Sequence, residues 1–159
     1  MASWEEFATA EPELAAAGKS IFYQYGTVGL AFLATVRKDG GPRVHPMCPV
    51  IDGKRIYGLI VPSQKRDDLV RDGRYAMHAF PVDGNEDAFY ITGSARRIDD
   101  AETLARIVQQ FVAERNDMDP ALVTHEWLFE FDITSCLLTR TTGFGDWNPK
   151  HTVWHEAAE

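Results

Sequence analysis

Apolar and polar positions change period several times along the chain, and each change marks an element. After Pro12, the residues Leu14, Ala17, Ile21, Phe22 and Tyr25 recur at helical spacing until Gly26 interrupts them. This predicts one amphipathic helix over about 11–25. Apolar-rich runs follow at Leu30 to Val36, Val44 to Ile51 and Ile56 to Val61, separated by Lys38-Asp39-Gly40-Gly41 and by Asp52-Gly53. Asp-Gly pairs suit tight turns between strands, so the three runs predict a meander. Pro42, Pro46 and Pro49 each lack an N–H for a sheet ladder, which makes the middle run an edge strand, a bulged one, or one whose backbone faces a ligand.

Ser63 is a good N-cap for a short helix with Asp67 and Asp68 early, Leu69 and Val70 inward, and Gly73 at its end. Strands are predicted at Tyr75 to Phe80 and Phe89 to Ile98, on either side of an Asp-Gly-Asn loop. Asp99 and Glu102 have capping-box spacing, and Leu104, Ile107, Val108, Phe111 and Val112 form a helical stripe behind them. Trp127, Phe129, Phe131 and Ile133 then alternate with Leu128, Glu130 and Asp132, the two-residue period of a half-buried strand. From about 141 to 159 the pattern is irregular, with Gly143, Gly145, Trp147, Pro149 and Trp154. Six strand-like runs joined mainly by tight turns predict a mainly β fold: a six-stranded antiparallel barrel with flanking helices, in one domain over 1–159.

Composition narrows the function classes. With 159 residues, 45% of them hydrophobic, the chain buries a core without needing disulfides or a structural metal. Its two cysteines, Cys48 and Cys136, have no His or Cys at zinc-ligand spacing and are expected to be buried apolar fillers. Asp plus Glu total 24 against 16 Lys plus Arg, a net charge of −8 that repels a polyanion over most of the surface. General nucleic-acid binding is therefore not expected, although one local basic pocket remains compatible. The acidic start and the lack of any long apolar run predict a cytosolic protein with no membrane partner.

Several short motifs fail on context. Gly18-Lys19-Ser20 has Glu13 where a phosphate-binding loop needs glycine, and His125-Glu126 has Phe129 where a zinc-protease helix needs its second histidine. His151 and His155 lack a third ligand nearby, so no metal site is expected. Gly143-x-Gly145 lacks the third glycine of a dinucleotide fingerprint.

One constellation carries chemistry. Ile56 to Arg66 is a strand running into a helix N-terminus that begins Ser63-Gln64-Lys65-Arg66. Unpaired backbone N–H groups and the positive end of the helix dipole favour an anion there, with Ser63 as a hydroxyl donor and Lys65 as a compact charge. Taken by itself, the segment is more commonly a plain N-cap with solvated basic residues, because such caps are frequent.

One hairpin earlier stands Pro42-Arg43-Val44-His45-Pro46, and the stretch from Arg43 to Ile98 resembles the pyridoxamine 5'-phosphate oxidase-like, FMN-binding split-barrel family. In the oxidase the first of these strands carries an Arg followed by a Lys five positions on, and the strand-to-helix turn reads Ser-Arg-Lys. Arg43 matches the Arg, and Ser63 and Lys65 match the turn. Gly73-Arg74-Tyr75-Ala76, Phe80-Pro81 and Ile91-Thr92-Gly93-Ser94-Ala95 extend the likeness. Cys48 stands in place of the Lys and Gln64 in place of the Arg. The Arg-x-His signature that grips pyridoxal phosphate is absent from Thr139 to His155, which argues against vitamin B6 oxidation.

The resemblance implies a split barrel that binds FMN and performs redox chemistry on a small organic molecule, as a homodimer with the cofactor at the subunit interface. Arg43, Ser63 and Lys65 would hold the phosphate and ribityl chain, with Gln64 a further polar contact. The flavin ring would lie along Val44, His45, Pro46 and Met47 and against Gly58 and Leu59. His45 is the nearest titratable candidate for catalysis, a packed histidine being the other reading. Trp147 and Trp154 pack in the core or an interface, or cover the ring. Relatives of this kind also leave open a deazaflavin coenzyme, with Arg66 or Arg37 as extra cations, or a non-catalytic module that binds flavin or haem.

Overall fold

The computed structural model describes residues 1–116 and 118–157. Among these residues eight strands form one antiparallel sheet: β1 Ala31–Val36, β2 Pro42–Met47, β3 Val50–Ile51, β4 Ile56–Ile60, β5 Arg74–Ala79, β6 Ala88–Ile98, β7 Trp127–Arg140 and β8 Lys150–His155. Four α-helices accompany them: α1 Trp4–Ala10, α2 Pro12–Phe22, α3 Gln64–Arg71 and α4 Ala101–Ala113.

The strand order is β2-β1-β5-β6-β7-β4-β3, with β8 added beside β7. The two ends of that order are consecutive in sequence. β2 pairs with β1 and β3 pairs with β4, so one run broken at Cys48 and Pro49 joins both ends and closes a barrel. Six staves result when β2 and β3 are counted as one, the architecture of a split barrel. The strand expected over Val44 to Ile51 therefore exists as two pieces, because Pro49 offers no N–H to continue a ladder.

Two differences from the sequence pattern lie at the termini. The helix expected over about 11–25 is preceded by α1, which the capping box of Ser3 and Glu6 starts: Ser3 N–H donates to Glu6 Oε2 at 2.7 Å and Glu6 N–H to Ser3 Oγ at 3.2 Å. α2 itself ends at Phe22, so Tyr23 and Tyr25 lie beyond it. The tail from 141, expected to be irregular, contains β8. Antiparallel pairing from Ser135↔His155 to Arg140↔Lys150 holds it, and the Trp154 ring packs 5.0 Å from that of Phe7.

The barrel interior is filled by large side chains that alternate along the strands, among them Leu33, Ile56, Met77, Phe89, Ile91, Phe129 and Phe131, all fully buried. α1 and α2 close one end with Phe7 and Phe22. α4 covers the outside of the wall, packing Ile107 on Val50, Tyr57 and Leu128. The register of β6 against β7 shifts between Thr92 and Gly93. Such a bulge bends a strand and helps a sheet curl into a barrel.

Candidate functional site

α3 follows β4 after a three-residue connection and packs against β1 and β6, with Asp68 reaching both Thr35 of β1 and Arg43 of β2. Ser63 caps the helix as expected: its Oγ accepts the Arg66 N–H at 3.4 Å and donates to the Val61 carbonyl at 2.9 Å. Two further bonds tie helix to strand. Arg43 donates from Nη1 to Gln64 Oε1 at 2.6 Å, and Lys65 Nζ donates to the Pro46 carbonyl at 3.4 Å. Arg43 and Gln64 are thus brought together, as the sequence suggested.

The orientation of Arg43 depends on Asp68, in the first turns of α3. Asp68 is buried and accepts from Arg43 Nε at 2.7 Å, Thr35 Oγ1 at 3.1 Å, and Arg71 Nη1 and Nη2 at 3.1 and 3.0 Å. Burial alone would raise its pKa, but the hydrogen bonds from Arg43, Arg71 and Thr35 outweigh burial and hold the carboxyl below its ordinary value. Arg71 also donates to the Val36 carbonyl and so fixes the hairpin after β1. The spacing of Asp68 and Arg71 on one helix face was the available signal.

A groove of about 420 Å³ opens here, lined by Arg37, Lys38, Asp39, Arg43, Gln64, Asp67, Asp68 and Arg71. Its carboxylates orient the guanidinium groups, while Arg43 keeps three N–H donors beyond those given to Asp68 and Gln64. An acceptor-rich anion such as a phosphate monoester fits that donor set.

The expected trio of Arg43, Ser63 and Lys65 is divided. Ser63 and Lys65 do not line the groove; Lys65 turns toward Pro46, Cys48 and Glu126 on the other side of the helix start. Burial lowers its pKa, and the neighbouring Cys48 and Glu126 pull it back upward. Cys48 is half-buried at the break between β2 and β3, whereas Cys136 is buried and its thiol is pushed up to about 12 by burial. Only Cys136 is an apolar filler.

Two of the expected ring contacts occupy packed positions. Gly58 faces the barrel interior, where a Cβ would meet Met47 Cε at 2.7 Å and Phe131 Cε2 at 3.1 Å; the missing side chain makes room for core packing. Leu59 packs beneath α4 with the Val50, Tyr57 and Leu128 cluster. Along β2, register puts Arg43, His45 and Met47 on the face of Thr35, Leu33 and Ala31, and Pro42, Val44 and Pro46 on the opposite face with Val36, Ala34 and Phe32. Met47 is buried, His45 and Pro46 are exposed, and Val44 is 59% exposed. Trp147 is fully exposed on the loop before β8, and Trp154 packs on the core. His151, on β8, hydrogen-bonds Thr139 Oγ1 at 3.0 Å through Nδ1.

The pyridoxamine 5'-phosphate oxidase family profile matches residues 23–134, from the end of the α2 region through most of β7. The chain belongs to that family. Among solved structures, a Clostridium acetobutylicum protein of the pyridoxinephosphate oxidase family, related to general stress protein 26 of B. subtilis, superposes with TM-score 0.62 at 13% identity. That match covers 95% of each chain. A heme binding protein from Mycobacterium smegmatis superposes with TM-score 0.60 at 16% identity, covering 86% of this chain and 57% of that one. An F420 reductase superposes with TM-score 0.56 at 22% identity, covering 67% of this chain and 87% of the other. No curated protein matches. At these identities the family shares its split barrel across differently named proteins, so the likeness fixes the fold and leaves the ligand to the side chains. Among the described residues no helix is long and apolar enough to cross a membrane.

Proposed function

We propose that this protein binds FMN and catalyses redox chemistry on a small organic molecule. The observation that carries the reading is Arg43: a buried carboxylate orients its guanidinium at the lip of a groove, where Gln64 of α3 meets it. Arg43 and Gln64 would bind the phosphate end of the cofactor, and β2 would present its exposed edge from Val44 to Pro46 to the ring. When bound, the flavin supplies the hydride-accepting chemistry. The chain's part is to position the cofactor and shield it from water; His45, exposed on β2, is the candidate for moving a proton.

A deazaflavin coenzyme with its longer anionic tail is less well supported. Arg66 stacks 4.1 Å over the Trp127 ring and donates from Nη1 to the His125 carbonyl at 3.4 Å, and Arg37 pairs with Asp39 at 2.7 Å. Both extra cations already have partners.

The proposal includes a homodimer built on the outer face of the β2-β1-β5-β6 wall. Val44, Pro42, Ala34, Ala76 and Thr92 share that face by register, and Pro42, Ala34, Ala76 and Thr92 line a hollow of about 340 Å³ beside Val44. A specific interface there should bury at least about 1,000 Å². Val44→Asp is then expected to give monomers in light scattering, and an unchanged mass rejects this interface.

The cofactor is tested by equilibrium titration with FMN, followed by flavin fluorescence and by absorbance in the blue. Wild type should bind, and Arg43→Ala should weaken binding at least about tenfold by removing a charge-assisted contact. A protein that ignores FMN, or that shows a haem Soret band instead, defeats the reading.

A further inference from the structure

We propose that the cavity between the β5–β6 loop and the β7–β8 loop is a binding site for a small aromatic amine that also carries a hydroxyl group. This cavity shares no lining residue with the groove at Arg43 or with the hollow beside Val44, so the site is independent of the FMN reading.

The two loops form one preshaped wall. Glu86 N–H donates to Thr141 Oγ1 at 3.1 Å, Thr141 N–H to Asp87 Oδ1 at 2.7 Å and Gly145 N–H to Glu86 Oε2 at 2.9 Å, while Arg140 pairs with Asp87 at 2.8 Å. Asp146 fixes the rest of the second loop by accepting the N–H groups of Thr142 and Asn148, both at 2.8 Å. Bonds that cross between loops hold the hollow open before a ligand arrives, which lowers the entropy lost on binding.

The hollow has a volume of about 330 Å³ and mostly apolar walls, supplied by Pro81, Val82, Ala88 and Phe144. Phe144 is 73% exposed although its loop is tied down. An aromatic ring held in water at the mouth of an apolar hollow is surface that a second ring would bury. Size and lining therefore suit one small aromatic molecule.

Two polar groups of the lining select its substituents. His78 Nδ1 lies 2.6 Å from the Ala79 carbonyl. A carbonyl only accepts, so Nδ1 carries the proton, and Nε2 of the neutral ring is left to accept from a hydroxyl. Glu86 gives one carboxylate oxygen to the Gly145 N–H and has no ion-pair partner among the described residues, whereas the charge of Asp87 is matched by Arg140. Lys150, opposite Arg140 on β8, does not line the hollow. One uncompensated negative charge thus stands beside an apolar surface, where it attracts a cation and repels an acid of the same shape.

Tyramine is the probe, a phenol with an ammonium arm, and para-hydroxyphenylacetate is the same phenol with a carboxylate arm. Titration of the isotope-labelled protein without flavin, followed through its amide chemical shifts, measures both. Wild type should bind tyramine with a Kd of about 1 mM or tighter, shifting the amides of Glu86 to Ala88 and of Phe144, and should bind the acid at least about tenfold more weakly. Phe144→Ala should weaken tyramine binding several-fold, and the exposure of that ring leaves the fold intact. Glu86→Gln keeps an acceptor for the Gly145 N–H and should bring the two probes to within about twofold of each other. Unshifted amides in the barrel report that both variants are folded. Absence of tyramine binding up to about 10 mM, equal binding of the acid by wild type, shifts confined to other regions, or variants that bind and discriminate as wild type does overturn the assignment. None of these outcomes touches the FMN titration, which tests the other site.

Discussion

Asp68 and Arg43, 25 residues apart in sequence, meet at 2.7 Å between Oδ2 and Nε, and this contact ties α3 to β2. Thr35 of β1 and Arg71 of α3 converge on the same carboxylate. Removing it would leave two guanidinium groups and a hydroxyl without their buried acceptor. Asp68→Ala should therefore cost about 3 kcal/mol of stability, the range for breaking a buried charge pair from one side. Urea unfolding measures it through the midpoint, and a loss below about 1 kcal/mol would mean that the cluster is not a tie.

The same carboxylate gives the protein an acid limb of predictable sign. Its folded pKa lies below the ordinary value, so on acidification the unfolded chain takes up the proton first. The contribution is fully present above the unfolded value of about 3.9 and is lost as pH falls through the lower folded value. The stability gap between wild type and Asp68→Asn should consequently be constant from neutral pH down to about 5 and narrow below about 4. Urea midpoints at a series of pH values test this; a gap that widens on acidification would contradict it.

Gly93 marks the bulge where β6 shifts register on β7. A Cβ there would fall within the carbonyl group of Asp132, which is backbone and cannot swing aside. Gly93→Ala should destabilise by about 3 kcal/mol, the upper range for overpacking. A loss of that size should appear as an earlier urea midpoint with the slope unchanged, since the barrel either closes around the bulge or does not. A midpoint matching wild type would show that the strands can separate at no cost.

Much of the barrel was legible in sequence because its strands alternate and its turns carry Asp-Gly pairs. Trp127 to Ile133 alternates cleanly, but β7 continues to Arg140 through Thr134, Ser135 and Thr139, whose polar side chains hide the period. β8 escaped for a related reason: only Trp154 points toward the core, so five of its six residues are exposed and no two-residue rhythm shows. At the site, sequence proximity brought Arg43 and Gln64 into one hypothesis. It could not show that Gln64 and Lys65, adjacent in the chain, leave the helix in directions about 100° apart and face different ends of β2.

Ser63 and Lys65 should be separable by experiment, although both stand at the start of one helix. The Ser63 hydroxyl proton is already given to the Val61 carbonyl, and its oxygen accepts the Arg66 N–H, so its work is to start the helix. Ser63→Ala should cost about 1 kcal/mol of stability, and Ser63→Asp, a comparable cap acceptor, should recover most of it. Lys65 has the reverse profile. Its ammonium is partly desolvated and makes one long hydrogen bond, so Lys65→Met should leave stability unchanged or raise it, yet weaken FMN binding at least about tenfold. The linkage sign agrees: because the folded pKa is lowered, the unfolded chain binds the proton more tightly, and wild-type stability gains as pH rises through the lowered value. Lys65→Met should lack that gain. Thermal unfolding and FMN titration on the same three variants distinguish the roles, and a Lys65→Met protein that loses stability while keeping its FMN affinity would assign Lys65 to the fold instead.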